Sequence, residues 1–158
     1  MKKINWIKLI GAILFCQAAG LIGSIFTVQG VNTWYLTLNK PSFNPPSWVF
    51  GPVWTTLFLF MGISLYIVWN RSKNQESRKI AIIFFIIQWV LNILWSLFFF
   101  ALQNPFLALI EIIILWIFIL LTIIYFYKIS KWSAYLLIPY ILWVSFAAFL
   151  NYNLFILN

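Results

Sequence analysis

Five long apolar segments limit what this chain can fold into more than any other feature of its sequence. They lie at residues 6–28, 47–70, 80–102, 105–127 and 133–155. Each is about as long as the roughly 20 residues that a helix needs to cross the hydrocarbon core of a bilayer. A closed β-barrel, the other structure that can span a membrane, needs short segments of alternating polarity. The sequence therefore predicts an all-α membrane protein, a five-transmembrane-helix bundle forming one domain over residues 1–158.

The composition agrees with this assignment. Hydrophobic residues make up 65% of the chain and charged residues 8%. A soluble domain of 158 residues cannot hide that much apolar surface, so lipid must be part of the solvent. The net charge of +8 does not indicate nucleic acid, because the basic residues form short clusters between apolar segments rather than one soluble basic surface.

The basic residues lie almost entirely on one side of the predicted bundle. They occur before the first segment, between the second and third, and between the fourth and fifth: Lys2, Lys3, Lys8, Arg71, Lys73, Arg78, Lys79, Lys128 and Lys131. Only Lys40 falls on the other side. Because cytoplasmic loops are enriched in Lys and Arg, we expect a multi-pass protein of the cell membrane, with its N-terminus in the cytoplasm and its C-terminus outside.

Prolines and one long loop organise the connections. Asn104 and Pro105 are typical of a helix N-cap followed by proline at the first helical position. Pro139 lies inside the fifth segment and cannot donate to the carbonyl of Tyr135, so we expect a kink there. The long first loop, at residues 29–46, mixes aromatic residues with prolines and is predicted to be a lid or a binding element.

Three segments carry large aromatic side chains in stripes with helical spacing. The stripes are Phe50, Trp54, Phe58 and Met61 on the second segment, Gln88, Asn92, Trp95, Ser96 and Phe99 on the third, and Pro139, Trp143, Ala147 and Asn151 on the fifth. Such stripes commonly serve helix packing, and an intramembrane amide often bridges two helices. The alternative is an aromatic-walled cavity for a flat hydrophobic ligand, in which indoles stack on the ligand and amides orient it.

Few residues offer acid–base or metal chemistry. The chain has no histidine and a single cysteine, Cys16, so neither a metal site nor a covalently bound cofactor is predicted. Glu111, the only acidic residue inside a segment, is either a proton or cation site or a structural group. Small residues four apart on the first segment, such as Ala19 and Gly23, permit close helix packing within the bundle or across a dimer.

Motifs spread over nearly the whole chain resemble one known family. They read WYLTLNKPSFNPPSWVFGPVW from Trp34 to Trp54, QWVLNILWSLFF from Gln88 to Phe99, and PYILWVSFAAFLNY from Pro139 to Tyr152, with Pro105, Ala108 and Glu111 between them. Together they resemble the translocator protein family, also called the tryptophan-rich sensory protein family or the peripheral-type benzodiazepine receptor.

The resemblance implies a homodimeric five-helix bundle with a pocket under the first loop, which takes protoporphyrin IX as well as isoquinoline- and benzodiazepine-type ligands. The implied ligand-binding residues are Tyr35, Pro45, Trp54, Phe58, Asn92, Trp95, Trp143 and Ala147. Trp54 and Trp143 match tryptophans associated with porphyrin photochemistry, and Trp34 and Tyr35 belong to the implied lid. Animal members carry a basic residue after a Leu-Asn-Tyr stretch. Because no Lys or Arg follows Tyr152, tight cholesterol binding is not expected here.

Three functions are open at this stage. The leading hypothesis is binding of metal-free tetrapyrroles in a histidine-free aromatic pocket, with light- and oxygen-dependent breakdown in which Trp54 and Trp143 are the catalytic residues. The second is a carrier or transporter of hydrophobic ligands, such as a porphyrin or a sterol, without chemistry. The third is a stress sensor or scaffold whose basic loops dock a partner.

Overall fold

The computed structural model describes residues 4–158, so that Lys2 and Lys3 lie outside the described part. The helices are α1 (Trp6–Val31), α2 (Trp34–Thr37), α3 (Phe50–Arg71), α4 (Gln75–Ser96), α5 (Pro105–Ile129), α6 (Lys131–Tyr135) and α7 (Ile138–Leu157). A 3-10 turn, Ser47–Val49, leads into α3, and a π-helical turn, Leu97–Ala101, continues α4.

Five helical stretches are long and apolar enough to cross a membrane, which confirms the predicted all-α five-helix fold. They are Trp6–Val31, Ser47–Arg71, Gln75–Ala101, Pro105–Ile129 and Lys131–Leu157. Helix α1 packs on α3 and α4, α4 packs on α5, and α5 packs on α7. Large apolar side chains such as Ile7 and Leu21 point outward, as a bundle surrounded by lipid requires.

The third spanning helix begins earlier than predicted. The sequence indicated a start at residue 80, whereas α4 begins at Gln75. The side chain of Asn74 accepts hydrogen bonds from the backbone N–H groups of Glu76 and Ser77, at 2.9 and 3.3 Å. This N-cap extends the helix beyond its apolar part into polar residues, which hydropathy alone does not mark. The predicted first loop is also partly helical, because α1 runs to Val31 and α2 follows.

The predicted N-cap and proline start of the fourth spanning helix are confirmed, whereas the fifth is interrupted near Pro139, where only a kink was predicted. The side chain of Asn104 accepts a hydrogen bond from the Leu107 backbone N–H at 2.9 Å, and Pro105 opens α5. The fifth spanning stretch breaks before Pro139, where α6 ends and α7 begins. The proline nitrogen cannot donate a helical hydrogen bond, and the chain instead closes a short turn in which the N–H of Leu137 bonds to Ala134.

Close helix contacts fix α1 against its neighbours. A Cβ added at Gly62 of α3 would lie 2.6 Å from the Cα of Ile13, and one at Gly30 would lie 2.8 Å from the carbonyl oxygen of Phe100. Cys16 and Ala19 of α1 are fully buried in the core. The small residues of α1 therefore serve packing within the bundle, whereas a role in dimerisation stays a prediction.

Candidate functional site, an aromatic cavity under the first loop

A cavity of about 440 Å³ lies beneath α2, enclosed by α1, α3, α4, the π-helical turn and α7. Its walls are almost entirely apolar or aromatic. The lining residues are Gln17, Ala19, Gly20, Leu21, Gly23, Ser24, Thr27, Val28, Val31, Tyr35, Phe50, Gly51, Trp54, Thr55, Phe58, Asn92, Trp95, Ser96, Phe99, Phe100, Ala147, Leu150, Asn151 and Leu154.

Small side chains on α1 keep this space open. Gly20 faces the ring of Phe58, and a Cβ on that glycine would lie 2.9 Å from the ring edge. Gly23 faces Ser96, where an added Cβ would lie 3.2 Å from the hydroxyl oxygen. Ala147 of α7 lies on the far wall. Since large aromatic rings on one side meet small residues on the other, the rings cannot close on each other and a cavity remains.

Trp54 and Phe58 form one flat wall. Their ring centroids are 5.5 Å apart and the planes are inclined by 26°, so that the two rings stack along α3. Tyr140 of α7 supports the indole from behind, edge-on, at 6.2 Å. No described residue accepts a hydrogen bond from the indole N–H of Trp54. This wall offers a stacking surface and one free donor to a ligand.

Trp95 and Phe99 form a second wall. Their rings stack with centroids 5.1 Å apart and an interplanar angle of 17°. The indole N–H of Trp95 donates to the side-chain oxygen of Asn151 at 3.1 Å, and the amide nitrogen of Asn151 donates to the Pro105 carbonyl at 2.8 Å. These bonds fix the orientation of the indole across three helices, so the wall is rigid before any ligand arrives.

A buried hydrogen-bond chain orients Asn92. The amide nitrogen of Asn92 donates to the Tyr140 hydroxyl at 2.9 Å, and that hydroxyl donates to the side-chain oxygen of Gln88 at 2.8 Å. Because the tyrosine proton is directed at Gln88, Asn92 must present its nitrogen to the tyrosine oxygen. Its own side-chain oxygen then has no donor among the described residues and belongs to the cavity wall. Asn92 is thus an oriented hydrogen-bond acceptor.

The first loop covers the cavity through Tyr35. This side chain is 3% exposed, and its hydroxyl donates to the side-chain oxygen of Asn44 at 2.7 Å. The Lys40 ammonium lies 4.8 Å from the centre of the ring. Burial raises the pKa of Tyr35, an effect that the hydrogen bond to Asn44 only partly offsets. Trp34 packs edge-on against Phe99, with ring centroids 5.4 Å apart, and it is not among the residues that line the cavity.

A pair of asparagines ties the middle of this loop to the end of α7. The backbone N–H of Asn39 donates to the side-chain oxygen of Asn158 at 2.8 Å. In return, the side-chain nitrogen of Asn158 donates to the Asn39 carbonyl at 3.0 Å. These two bonds therefore tie the middle of the first loop to the end of α7, while the bond between Tyr35 and Asn44 lies within the loop itself.

The structure brings most of the predicted ligand-binding residues together around this cavity. Those that line it are Tyr35, Trp54, Phe58, Asn92, Trp95 and Ala147. Pro45 and Trp143 are not among the lining residues. Trp143 packs against Phe50, with ring centroids 6.1 Å apart, and Phe50 itself lines the cavity. The ligand contacts of all these residues stay predictions, but Trp54 and Trp143 clearly occupy different positions.

Two parts of the site were missed by sequence reasoning. Residues of α1 such as Gly20 and Gly23 form one side of the cavity, although their spacing was interpreted only as helix packing. Tyr140, which orients Asn92, lies between the predicted positions of the fifth stripe. The spacing of small residues on α1 was a signal that could have revealed the α1 side of the cavity, whereas nothing in the sequence pattern marked Tyr140.

Glu111 lies apart from the cavity. It is 4% exposed, and within residues 4–158 neither of its carboxyl oxygens has a hydrogen-bond partner. The described residues also contain no group of three His, Cys, Asp or Glu side chains that could hold a metal ion. Both roles given for Glu111, a proton or cation site and a structural group, therefore stay predictions, as does the expectation about metals.

The fold and the cavity define a class, the five-helix membrane proteins with an aromatic pocket beneath an extended first loop. Residues 12–157 match the TspO/MBR family, and the chain belongs to that family.

Several relatives agree with this assignment. The chain is 49% identical over 102 residues to the tryptophan-rich protein TspO of Archaeoglobus fulgidus, a match covering 65% of each chain. It is 45% identical over 143 residues to the tryptophan-rich protein TspO of Chlorobaculum tepidum, covering 90% of each. With the human translocator protein it shares 34% identity over 100 residues, covering 63% of this chain and 59% of the human one.

Proposed function

We propose that the cavity binds flat, metal-free tetrapyrroles such as protoporphyrin IX and that the protein supports their light- and oxygen-dependent breakdown. The observation that carries the proposal is the pair of stacked aromatic walls, Trp54 with Phe58 and Trp95 with Phe99, around one oriented amide. The volume of about 440 Å³ lies within the range of roughly 300–1,000 Å³ that is usual for small-molecule sites. Isoquinoline-type ligands fit the same aromatic surfaces.

The free oxygen of Asn92 favours a metal-free macrocycle. An acceptor held in a low-dielectric site needs a donor, and leaving it unpaired costs about 1–3 kcal/mol. A metal-free porphyrin offers two inner N–H donors to such an acceptor, whereas a metalloporphyrin offers only its metal, for which an amide oxygen is a poorer axial ligand than an imidazole. The absence of histidine from the whole chain agrees with this choice, because no imidazole is present to ligate a haem iron.

The breakdown step uses O₂ as its oxidant. Light excites the bound ring, and O₂ then adds across a carbon–carbon bond at a bridge between two pyrroles. That bond breaks, and each of its two carbons becomes a carbonyl group of the opened ring. Both oxygen atoms therefore stay in the product, and no external reductant is consumed. In this proposal Trp54 stacks on the ring, gives an electron to its excited state and takes that electron back as O₂ adds, so the indole ends unchanged. Trp143 does not line the cavity and packs against Phe50, which does.

Binding and ring preference are tested by titrating the purified protein with protoporphyrin IX and with its zinc complex. The proposal predicts tighter binding of the metal-free ring, and loss of that preference in Asn92→Leu. Illumination of the loaded protein, followed by pigment absorbance, tests the breakdown. If replacing both Trp54 and Trp143 by Phe leaves the rate of pigment loss unchanged, the catalytic part of the proposal is wrong.

A carrier function has one observation in its favour. Leu21 and Ser24 of α1 and Thr55 of α3 line the cavity and are also exposed on the outer face of the bundle. A lipid-dissolved ligand could therefore enter sideways between α1 and α3. Flux of protoporphyrin IX into proteoliposomes in the dark, by the Trp54→Phe, Trp143→Phe variant, separates the two functions. A carrier keeps its flux without these indoles, while photo-oxidative breakdown is lost.

We also propose that the basic end of the bundle faces the cytoplasm of the cell. Of the described basic residues, only Lys40 lies in the loop over the cavity. Labelling of single cysteines placed at Lys73 and at Asn39, in Cys16→Ala protein in intact cells, tests this. The proposal predicts that only the cysteine at position 39 reacts with an impermeant reagent.

A further inference from the structure

A second concavity lies between α1 and α3, at the end of the bundle opposite the aromatic cavity. This groove has a volume of about 270 Å³ and is lined by Lys8, Ala12, Leu65, Tyr66 and Trp69. Ala12 and Leu65 form an apolar floor that continues toward the middle of the bundle. Lys8 and Trp69 are exposed at the outer end. The groove therefore has a polar outer end, at Lys8, and an apolar inner end, at Ala12 and Leu65.

Hydrogen-bond donors are concentrated at the outer end of the groove. The backbone N–H of Asn5 donates to the Tyr66 hydroxyl at 2.9 Å, which occupies an acceptor position of that oxygen. No residue in the described part of the chain accepts the tyrosine proton, so this O–H is available to a ligand. The Lys8 ammonium extends from the first turn of α1 on the same side.

Positive charge surrounds this end of the groove. The Arg78 guanidinium lies 5.6 Å from the centre of the Trp69 ring, which is itself a groove residue. Arg71 ends α3 next to the groove. Glu76, in the first turn of α4, is the acidic residue at this end, and it does not line the groove. The local field therefore favours an anion.

We propose that this groove is a binding site for one anionic phospholipid. The phosphate would be held by Lys8, the Tyr66 hydroxyl and the nearby Arg78, with one acyl chain lying along Ala12 and Leu65. The basic end of the groove, with its tyrosine hydroxyl, matches the phosphate of such a lipid, and the apolar floor matches its acyl chain. Inorganic phosphate would leave the apolar floor empty. The positively charged choline group of phosphatidylcholine would lie among basic side chains, which repel it.

The test measures lipid selectivity in bilayers with spin-labelled phosphatidylglycerol and phosphatidylcholine, by electron paramagnetic resonance. For the unaltered protein we expect a preference for phosphatidylglycerol. Lys8→Gln should lower that preference about fivefold, which corresponds to one basic residue near the surface. Tyr66→Phe should lower it less, because it removes a single neutral donor while keeping the ring.

Lys131→Gln is the matched control. Lys131 lies at the same end of the bundle, its ammonium packs over the Tyr127 ring at 5.8 Å, and it does not line the groove. The proposal predicts that this variant keeps the preference. An equal loss in both lysine variants would show that diffuse surface charge attracts the lipid, and an unchanged preference in Lys8→Gln would show that the groove does not select it. Either result overturns the proposal.

Two additional measurements separate the site from its alternatives. Added inorganic phosphate at matched ionic strength should not displace the labelled lipid, and displacement would assign the site to the free anion instead. Protoporphyrin IX binding should be the same in Lys8→Gln as in the unaltered chain, because the aromatic cavity lies at the other end. A loss of porphyrin binding together with lipid selectivity would point to misfolding and remove the support for a local site.

Discussion

The two ends of this bundle are built from similar apolar residues but pack in opposite ways. At the packed end, around Phe85 and Phe126, rings stack directly on each other, with centroids 5.6 Å apart and planes inclined by 7°. At the cavity end, Trp54 and Trp95 stack on a neighbour along their own spanning helix, Phe58 and Phe99, and these two pairs line an open volume instead of stacking across helices. The comparison shows that hydrophobicity places all these residues inside the bundle, while side-chain size decides where a cavity forms.

Side-chain hydrogen bonds also differ between the packed end and the cavity end. At the packed end, the Ser64 hydroxyl donates to the Ser133 carbonyl at 2.7 Å and simply joins α3 to α6. At the cavity end, the polar contacts orient side chains that face the cavity, as Tyr140 does for Asn92. Substitutions at the packed end should therefore affect stability, and substitutions at the cavity end should affect ligand binding.

The largest expected effect is that of Phe85→Ala on stability. Phe85 is fully buried against Phe126, so truncation leaves a void that the stacked ring cannot fill. We expect the free energy of unfolding to fall by about 3–5 kcal/mol. Denaturant unfolding in detergent measures this loss. A similar loss in porphyrin affinity of the remaining folded protein would contradict the division between the two ends.

The next effect is that of Tyr140→Phe. The ring and its contact with Trp54 stay, but the side-chain nitrogen of Asn92 loses its acceptor and the side-chain oxygen of Gln88 loses its donor. We expect a loss of about 1–3 kcal/mol in the free energy of unfolding. Because Asn92 is then free to turn, the preference for metal-free over zinc protoporphyrin should also shrink. Fluorescence titration with both pigments checks this, and an unchanged preference would show that Asn92 is not an oriented acceptor.

Gly20→Ala should weaken ligand binding and lower stability. The new Cβ would lie 2.9 Å from the Phe58 ring, so this ring, which lines the cavity, must shift. Overpacking of this kind costs about 1–3 kcal/mol of stability, and a ring displaced toward the cavity should weaken protoporphyrin binding roughly tenfold. Gly11→Ala is the matched control on the same helix, because nothing lies within 4 Å of its added Cβ. Equal affinities for the two variants would mean that the ligand does not occupy the space beside Phe58.

The smallest expected effect is the contribution of Tyr35, in the first loop, to the loss of stability at alkaline pH. Burial raises the pKa of Tyr35 above its ordinary value of 10.0. Above about pH 10 the tyrosine of an unfolded chain ionises while the buried one does not, so stability falls as pH rises. Tyr35→Phe removes this contribution and should show a shallower loss between about pH 10 and pH 12. Thermal unfolding across that range measures it, and parallel curves for both proteins would contradict the buried position of the hydroxyl.

Local signals allowed much of the fold to be predicted. The apolar segments and the cap at Asn104 depend on residues close together in sequence, and the structure confirms them. At Pro139 a kink was predicted, and the structure has a break between α6 and α7 just before that residue. The start of α4 was placed too late, because its first turn is polar and depends on the Asn74 cap. Hydropathy measures depth in the membrane and does not report where the hydrogen-bonded helix ends.

The candidate site was only partly predictable, because periodicity groups residues on a face without fixing what that face meets. The stripes correctly brought Trp54, Asn92 and Trp95 to one cavity. Trp143 shares its stripe with Ala147, yet it does not line the cavity and packs against Phe50 of α3, a contact that depends on how two helices are rotated. The contribution of Gly20 was missed for the same reason, since its partner Phe58 lies on a different helix.

The difference between Trp54 and Trp143 tests the central claim most directly, that an aromatic cavity holds the tetrapyrrole against Trp54. The measurement is the rate of light-driven loss of bound protoporphyrin IX, with pigment occupancy matched, in Trp54→Phe and Trp143→Phe. Because Trp54 lines the cavity and Trp143 does not, we predict a large decrease in the first variant and a small one in the second. Equal decreases in both variants, or a larger one in Trp143→Phe, would contradict this account of the site.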